Sequence, residues 1–298
     1  MNQGFSDDSM SGEGYKTLLL AGCVQKYSVW ADFCFAWEAA LAAEPSIKYF
    51  KMREARALIK EFAGWTAQQR NDKITLLAKV LAQYKPSVTY AWISRVEFDE
   101  IVEPIIPYML RHPYILLFYP LIIKQAEWQH VEGEKVPTDF VFDEQGSVGV
   151  EAVVWYCHFR SLQRPHISAL MGSTPIFRDD KLVLPLQAAD LAAWHKRRCI
   201  ENPGELNSHS PTAVLEDLNY AEVHLDRQFL TVIATTRKNG RGSDETMRRV
   251  PMWSCAWTRG MGAGRVWGRG RKMLRCRPGF TNAIHKIGNI TVIGTISS

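Results

Sequence analysis

Three aspartates stand in sequence contexts that are unusual for surface charge. Asp143 ends the otherwise apolar segment TDFVFD, which places it at the rim of a predicted strand. Asp190 lies within the apolar helical segment LQAADLAAW, and Asp7 lies in FSDDSMSG, just before the first strongly apolar segment. A buried carboxylate without a partner carries a penalty of several kcal/mol. Each of the three therefore needs a cation, a cluster of hydrogen bonds or contact with solvent.

Two interpretations of these aspartates stay open. In the structural one, Asp143 caps the helix that follows it, Asp7 and Asp8 are solvated in the N-terminal segment, and Asp190 pairs with an arginine. The arginines within reach on sequence grounds are Arg178, Arg197 and Arg198. In the functional one, the carboxylates converge on Mg²⁺ or Mn²⁺, hard cations that prefer oxygen ligands.

Further charged residues could belong to such a site. Three basic residues of the segment IKYFKMREA could contact phosphate oxygens: Lys48, Lys51 and Arg53. Solvated charges at the start of a helix are an equally good interpretation of them. In FRDDK, Asp179 and Asp180 could be an outer pair of ligands, but we favour a turn that they form with Lys181.

The elements that must position these residues alternate between strands and helices. Strands are predicted at residues 16–24, 87–95 and 138–144 from their apolar, β-branched and aromatic composition. Helices are predicted from Ser28, at residues 53–62, 72–84 and 148–162, and from Pro185, which follows a short strand. Prolines at 104, 107, 113 and 120 predict broken helices over residues 101–124. The alternation predicts an α/β or α+β fold, with helices covering the sheet.

Charge divides the chain into two parts. Residues 237–298 carry 13 basic and 2 acidic residues and 10 of the 20 glycines, whereas residues 1–236 are mildly acidic. We expect a folded domain over 1–236 and a basic, poorly ordered tail over 237–298, with one strand at 289–296. The tail's arginines and tryptophans could alternatively contact nucleic acid.

Composition excludes several classes of protein. The six cysteines form no CxxC pair, which argues against a disulfide framework or a cysteine zinc site. The N-terminal segment has neither the basic start nor the apolar core of a signal peptide. The longest apolar stretch, residues 114–123, is about half of a membrane span. We therefore expect a soluble cytoplasmic protein without membrane contact.

The motifs together resemble a known family. FSDDSMSG, AGCV followed by WADFCFAWEAAL, IKYFKMREA, DFVFDEQ and PLQAADLAAW occur in a consistent order over roughly residues 1–200. This combination resembles domain of unknown function family 3800, and FVFDEQ and PLQAADLAAW are its most specific pieces. The resemblance implies a ribonuclease H-like mixed sheet covered by helices, with an inserted helical region. It also implies Asp7 on the first strand, Asp143 on a central strand and Asp190 on a later helix.

That resemblance implies a metal-dependent nuclease, because carboxylates at such positions hold one or two metal ions in ribonuclease H-like enzymes. The expected catalytic residues are Asp7, Asp143 and Asp190, and Asp8 joins them as an expected ligand of Mg²⁺ or Mn²⁺. Glu144 is a further candidate. The family usually opens with an aspartate–glutamate–serine–glycine run, in place of which this chain has Asp7, Asp8, Ser9 and Met10. The alternative is a non-catalytic module on the same fold that binds nucleic acid or protein.

Overall fold

A six-stranded mixed sheet organises the first of two units, Met1–Gly260; the second is Met261–Ser298. The structure is a computed structural model that describes residues 1–9, 16–104 and 112–238 and two strands at 282–287 and 290–295. In chain order, the strands of the sheet are β1 (Asn2–Ser9), β2 (Thr17–Lys26), β3 (Ser87–Ser94), β4 (Thr138–Asp143), β5 (Ile176–Arg178) and β6 (Tyr220–Leu225).

The sheet has the spatial order β5-β4-β1-β2-β3-β6. The pairs β1–β2 and β2–β3 are antiparallel, whereas β1–β4, β4–β5 and β3–β6 are parallel. Strands β1, β4 and β5 are therefore parallel neighbours, and their carboxyl ends lie at one edge of the sheet. The predicted α/β class is confirmed.

Helices cover both faces of the sheet. They are α1 (Tyr27–Ala42), α2 (Met52–Ala57), α3 (Ala67–Tyr84), α4 (Arg95–Ile101), α5 (Pro113–Val131), α6 (Gly146–Val154), α7 (Tyr156–Ser161), α8 (Pro165–Ser168), α9 (Leu184–Glu201) and α10 (Arg227–Lys238). Alternate side chains of β2 face opposite ways, so Leu19 and Ala21 pack with α1, α3 and α9, while Leu18 and Leu20 pack with α5. The sheet is thus buried on both sides.

Strand β1 is the least apolar strand in the centre of the sheet, with the sequence NQGFSDDS. It forms because it pairs along its length with β2 and over Asn2–Ser6 with β4, so that most of its backbone groups have partners. Its position agrees with the resemblance, which implied Asp7 on the first strand. The alternative in which Asp7 is solvated is wrong, because that residue is only 7% exposed.

Two of the predicted helical regions differ from the structure. Within residues 101–124, α5 is one continuous helix from Pro113 onwards and contains Pro120. Pro113 occupies the first turn, where a missing N–H removes no helical bond, and burial of nearly the whole helix offsets the bond that Pro120 removes. The helix predicted over 53–62 instead ends at Ala57, because Leu58 takes a left-handed conformation with φ of 52°.

The second unit contains an antiparallel pair, β7 (Asn282–Ile287) and β8 (Ile290–Thr295). The strand predicted at residues 289–296 coincides with β8, and β7 was not predicted. Residues 239–281, 288–289 and 296–298 of the predicted tail lie outside the described residues. Within the described parts of the chain, no helix combines the length and apolar character needed to cross a membrane.

Candidate metal centre

Three carboxylates meet at the edge of the sheet where β1, β4 and β5 end. Asp7 lies near the end of β1, Asp143 is the last residue of β4, and Asp180 follows β5 by two residues. One oxygen atom from each carboxylate lies within 4.8 Å of an oxygen of the other two. In open α/β sheets, the crevice outside the carboxyl ends of parallel strands is the usual place for a ligand.

Asp7 is the most enclosed of the strand carboxylates. Among the described residues, its one hydrogen bond is from the backbone N–H of Asp8 to Oδ1, at 2.7 Å. Burial raises the pKa of Asp7 well above its ordinary value, and the charges of Asp190 and Asp143 raise it further. A cation in the cluster would reverse this effect, because it favours the ionised form.

Asp143 and Asp180 are joined to each other and to a lysine. The backbone N–H of Asp180 donates to Asp143 Oδ1 at 3.2 Å. Lys51 Nζ lies 2.8 Å from Asp180 Oδ2 and 3.9 Å from Asp143 Oδ2. Burial raises the pKa of Asp143 although Lys51 opposes the rise, and burial likewise raises the pKa of Asp180 to about 6 against the hydrogen bond from Lys51.

Asp190 adjoins this group from α9. Its Oδ2 accepts a hydrogen bond of 2.6 Å from the backbone N–H of Met52, the first residue of α2. Burial raises the pKa of Asp190 to about 7, although the Met52 N–H opposes the rise. After burial, the charge of Asp190 is the largest cause of the raised pKa of Asp7, so the two carboxylates are electrostatic neighbours. The three carboxylates that meet within 4.8 Å nevertheless include Asp180 and do not include Asp190.

Lys51 is the one member of the predicted phosphate-contacting set that the structure brings to the carboxylates. Burial disfavours its charged form, but the hydrogen bond to Asp180 and the surrounding carboxylates leave its pKa above the ordinary value. Lys48 and Arg53 are exposed. Lys51, the residue immediately before α2, is therefore the member of this set that supplies positive charge to the cluster.

The remaining predicted acidic residues surround the cluster. Asp8, on the opposite side of β1 from Asp7, accepts a 2.7 Å hydrogen bond from Gln145 Nε2 at Oδ1. Glu144 is exposed. Asp179 Oδ1 accepts the backbone N–H of Lys181 at 2.9 Å, so Asp179 makes the predicted turn. Asp180 lies in the same turn, as predicted, and its side chain, which is 1% exposed, also belongs to the cluster.

A buried glutamine, which the sequence did not single out, holds the segments that carry Asp180 and Lys51. Gln187 is fully buried in the first turn of α9, and its Nε2 donates to the carbonyl of Asp180 at 3.0 Å. Its Oε1 accepts the backbone N–H of Phe50 at 3.1 Å and Trp37 Nε1 at 3.0 Å. Gln187 lies three residues before Asp190, so the two side chains are neighbours on α9. This spacing was the feature of the sequence that could have identified Gln187.

The purely structural interpretation of the aspartates finds little support in these contacts. Helix α6 has Gln145 at its N-cap and no side-chain cap, so Asp143 does not cap it. Arg197 donates to Ser9 Oγ at 2.8 Å and pairs with Glu201, and Arg198 pairs with Glu205. Among the residues that the structure describes, the Asp190 carboxylate instead accepts a hydrogen bond from the backbone N–H of Met52 in α2.

Comparison with protein-family models and with curated proteins finds no match to this chain. Membership of domain of unknown function family 3800 consequently stays a prediction. Support for a metal site comes from the convergence of carboxylates that lie far apart in the sequence.

Proposed function

We propose that this protein is a divalent-metal-dependent nuclease that hydrolyses phosphodiester bonds. The observation that carries the proposal is the meeting of Asp7, Asp143 and Asp180 within 4.8 Å at the carboxyl ends of parallel strands. Asp7 supports the proposal as well, because within the described parts of the chain this carboxylate, which is 7% exposed, accepts a hydrogen bond only from the backbone N–H of Asp8.

The chemistry of these donors fits Mg²⁺ or Mn²⁺. Both ions prefer oxygen ligands, and Mg²⁺ in particular is held by a few carboxylates and keeps several water molecules. Asp7, Asp143 and Asp180 would hold the ion, with Asp190 beside them. When bound, the ion would supply Lewis-acid chemistry, by polarising a phosphoryl oxygen and making a water molecule more acidic.

The protein's own residues would fix the geometry of the reaction. Hydrolysis forms a bond from a water oxygen to phosphorus and breaks the bond from phosphorus to the leaving oxygen, which takes up a proton. Gln187 and the Met52 N–H hold Asp180 and Asp190 in place, so little rearrangement is needed before the reaction. Lys51 offsets part of the negative charge that would otherwise repel a phosphate.

The architecture supports a ribonuclease H-like assignment as part of this proposal. A mixed sheet is covered by helices on both faces, and acidic residues are contributed by the first strand, by β4 and by α9, as the resemblance implied. Asp180 extends that set by one position. Nucleic acid is the partner class that this chemistry would act on.

A cleavage assay tests the proposal. Single- and double-stranded DNA and RNA would be incubated with Mn²⁺ or Mg²⁺ and with wild-type protein, Asp180→Asn, Asp190→Asn or Asp72→Asn. We expect both cluster variants to lose cleavage by about a hundredfold or more, because each loses a preorganised charge. Asp72→Asn is the matched control, since Asp72 is an exposed carboxylate on α3 that accepts a hydrogen bond from Gln68, and the variant should cleave like the wild type.

Unchanged cleavage by both cluster variants would contradict the proposal. Absence of cleavage by the wild type, together with absence of stabilisation by Mn²⁺, would instead favour the alternative of a non-catalytic interaction module. Circular dichroism of each variant separates loss of chemistry from loss of folding.

A further inference from the structure

The start of α2 supplies two positively polarised groups to the carboxylate cluster. The Lys51 ammonium pairs with Asp180, and the next residue, Met52, donates its backbone N–H to Asp190. The Phe50 N–H, immediately before them, is held by Gln187. This segment is therefore fixed against α9 by its backbone, and the position of the Lys51 side chain follows from that anchoring.

The Lys51 ammonium lies where two carboxylates could bridge a pair of cations. Its distances of 2.8 Å to Asp180 Oδ2 and 3.9 Å to Asp143 Oδ2 place it against the two residues that also belong to the three-carboxylate group. In sites that use two divalent ions, the ions lie about 3.5–4 Å apart and share carboxylate ligands. Asp143 and Asp180 would serve in the same way, with a divalent ion on the Asp7 side and the ammonium on the other.

We propose that the cluster takes one divalent cation and that the Lys51 ammonium stands in place of a second; this inference rests on the proposed function. Four carboxylates, from Asp7, Asp143, Asp180 and Asp190, face one lysine, so one divalent ion leaves a net charge of −1 and a second would make it +1. The position of Lys51, and not the net charge, therefore favours one ion. A second divalent ion would have to displace Lys51 from Asp180 and would leave an ammonium beside two cations, which is unfavourable at short range.

The burial of the participants strengthens this assignment. The Asp180 side chain is 1% exposed, and the side chain of Lys51 is 31% exposed, so water screens their pairing incompletely. Lys48, three residues earlier, is exposed and supplies a matched basic residue outside the cluster. Removing either lysine changes the net charge of the protein by the same amount, but only one of them touches the carboxylates.

Titration with Mn²⁺, followed by calorimetry and by electron paramagnetic resonance, tests the inference. Wild-type protein should bind one Mn²⁺ per chain and show the spectrum of an isolated ion. Lys51→Met should bind two Mn²⁺ per chain and show the broadened spectrum of two magnetically coupled ions. Lys48→Met and Lys51→Arg should each bind one, because both keep a positive charge next to Asp180.

Two results would overturn the inference: two Mn²⁺ per chain in the wild type, or a single Mn²⁺ in a folded Lys51→Met. The number of Mn²⁺ ions bound by the wild type can still overturn the inference if Lys51→Met fails to fold. The cleavage assay keeps the two proposals apart. Asp180-dependent cleavage by a wild type that binds two ions would leave the nuclease standing and refute the role of Lys51. Absence of any Mn²⁺ binding would refute both.

Discussion

Replacing Asp180 with asparagine should weaken the pH dependence of stability in the metal-free protein. Burial raises the pKa of this carboxyl from 3.8 to about 6, against the opposing effect of Lys51. In the unfolded chain its pKa returns to near the ordinary value, so across this interval the folded state binds more protons than the unfolded state. The free energy of unfolding therefore falls as the pH rises from about 4 through about 6.

The size of the effect follows from the same two pKa values. Each tenfold change in proton affinity corresponds to about 1.4 kcal/mol, so a rise from 3.8 to about 6 makes the folded protein about 3 kcal/mol less stable at neutral pH than below pH 4. Asp180→Asn removes this contribution. It also removes a charge that raises the pKa values of Asp7 and Asp190, which acts in the same direction.

Urea unfolding in the presence of a chelator, from about pH 4 to about pH 8, measures this difference. Over that range, the free energy of unfolding should fall by about 3 kcal/mol less in Asp180→Asn than in the wild type. Asp72→Asn is the control, because Asp72 is exposed on α3, where it accepts a hydrogen bond from Gln68, and its removal should leave the loss unchanged. Parallel curves for the wild type and Asp180→Asn would refute the claim that this carboxylate is buried among like charges.

Two further predictions concern metal binding and the glutamine beneath the cluster. At a Mn²⁺ concentration about a hundred times the Kd, wild-type protein should gain about 2.7 kcal/mol of stability in urea unfolding, whereas Asp7→Asn should gain none; an equal gain in both would remove Asp7 from the site. Gln187→Met should lower the free energy of unfolding by about 3 kcal/mol or more, because it leaves three buried hydrogen-bonding partners unsatisfied. Gln68→Met is the control, since Gln68 is exposed and bonds Asp72 within its own helix.

The sequence was sufficient to single out the carboxylates whose neighbours are apolar. Asp143 follows a run of strand residues and Asp190 interrupts an apolar helix, so local pattern alone marks both as misplaced for surface charge. Asp180 has no such context, because Asp179 beside it is chemically identical and belongs to the same turn. Which of the two faces the cluster depends on packing against α9, and a local pattern does not contain that information.

Long-range packing, and not local pattern, also separates Lys51 from its basic neighbours. Three basic residues within IKYFKMREA look equivalent by type and spacing, but the hydrogen bond from the Phe50 N–H to Gln187 turns only Lys51 toward Asp180. That contact joins residues 137 positions apart. Within the broken helices predicted over 101–124, the break expected at Pro120 does not occur, for the related reason that burial against the sheet overrides the local effect of this proline.

The parallel pairing of β1 with β4 also determines when the cluster forms during folding. Asn2 pairs with Thr138, whereas β1 and β2 are close in the chain and can form a hairpin early. Without β4, β1 would be an edge strand, and Asp7 would lack the neighbouring carboxylate of Asp143. We therefore expect the repulsion between Asp7 and Asp143 to arise only when this long-range pair of strands forms. A divalent cation that binds the finished cluster should accordingly slow unfolding more than it speeds folding, and a nascent chain that has not yet reached Asp180 lacks the site altogether.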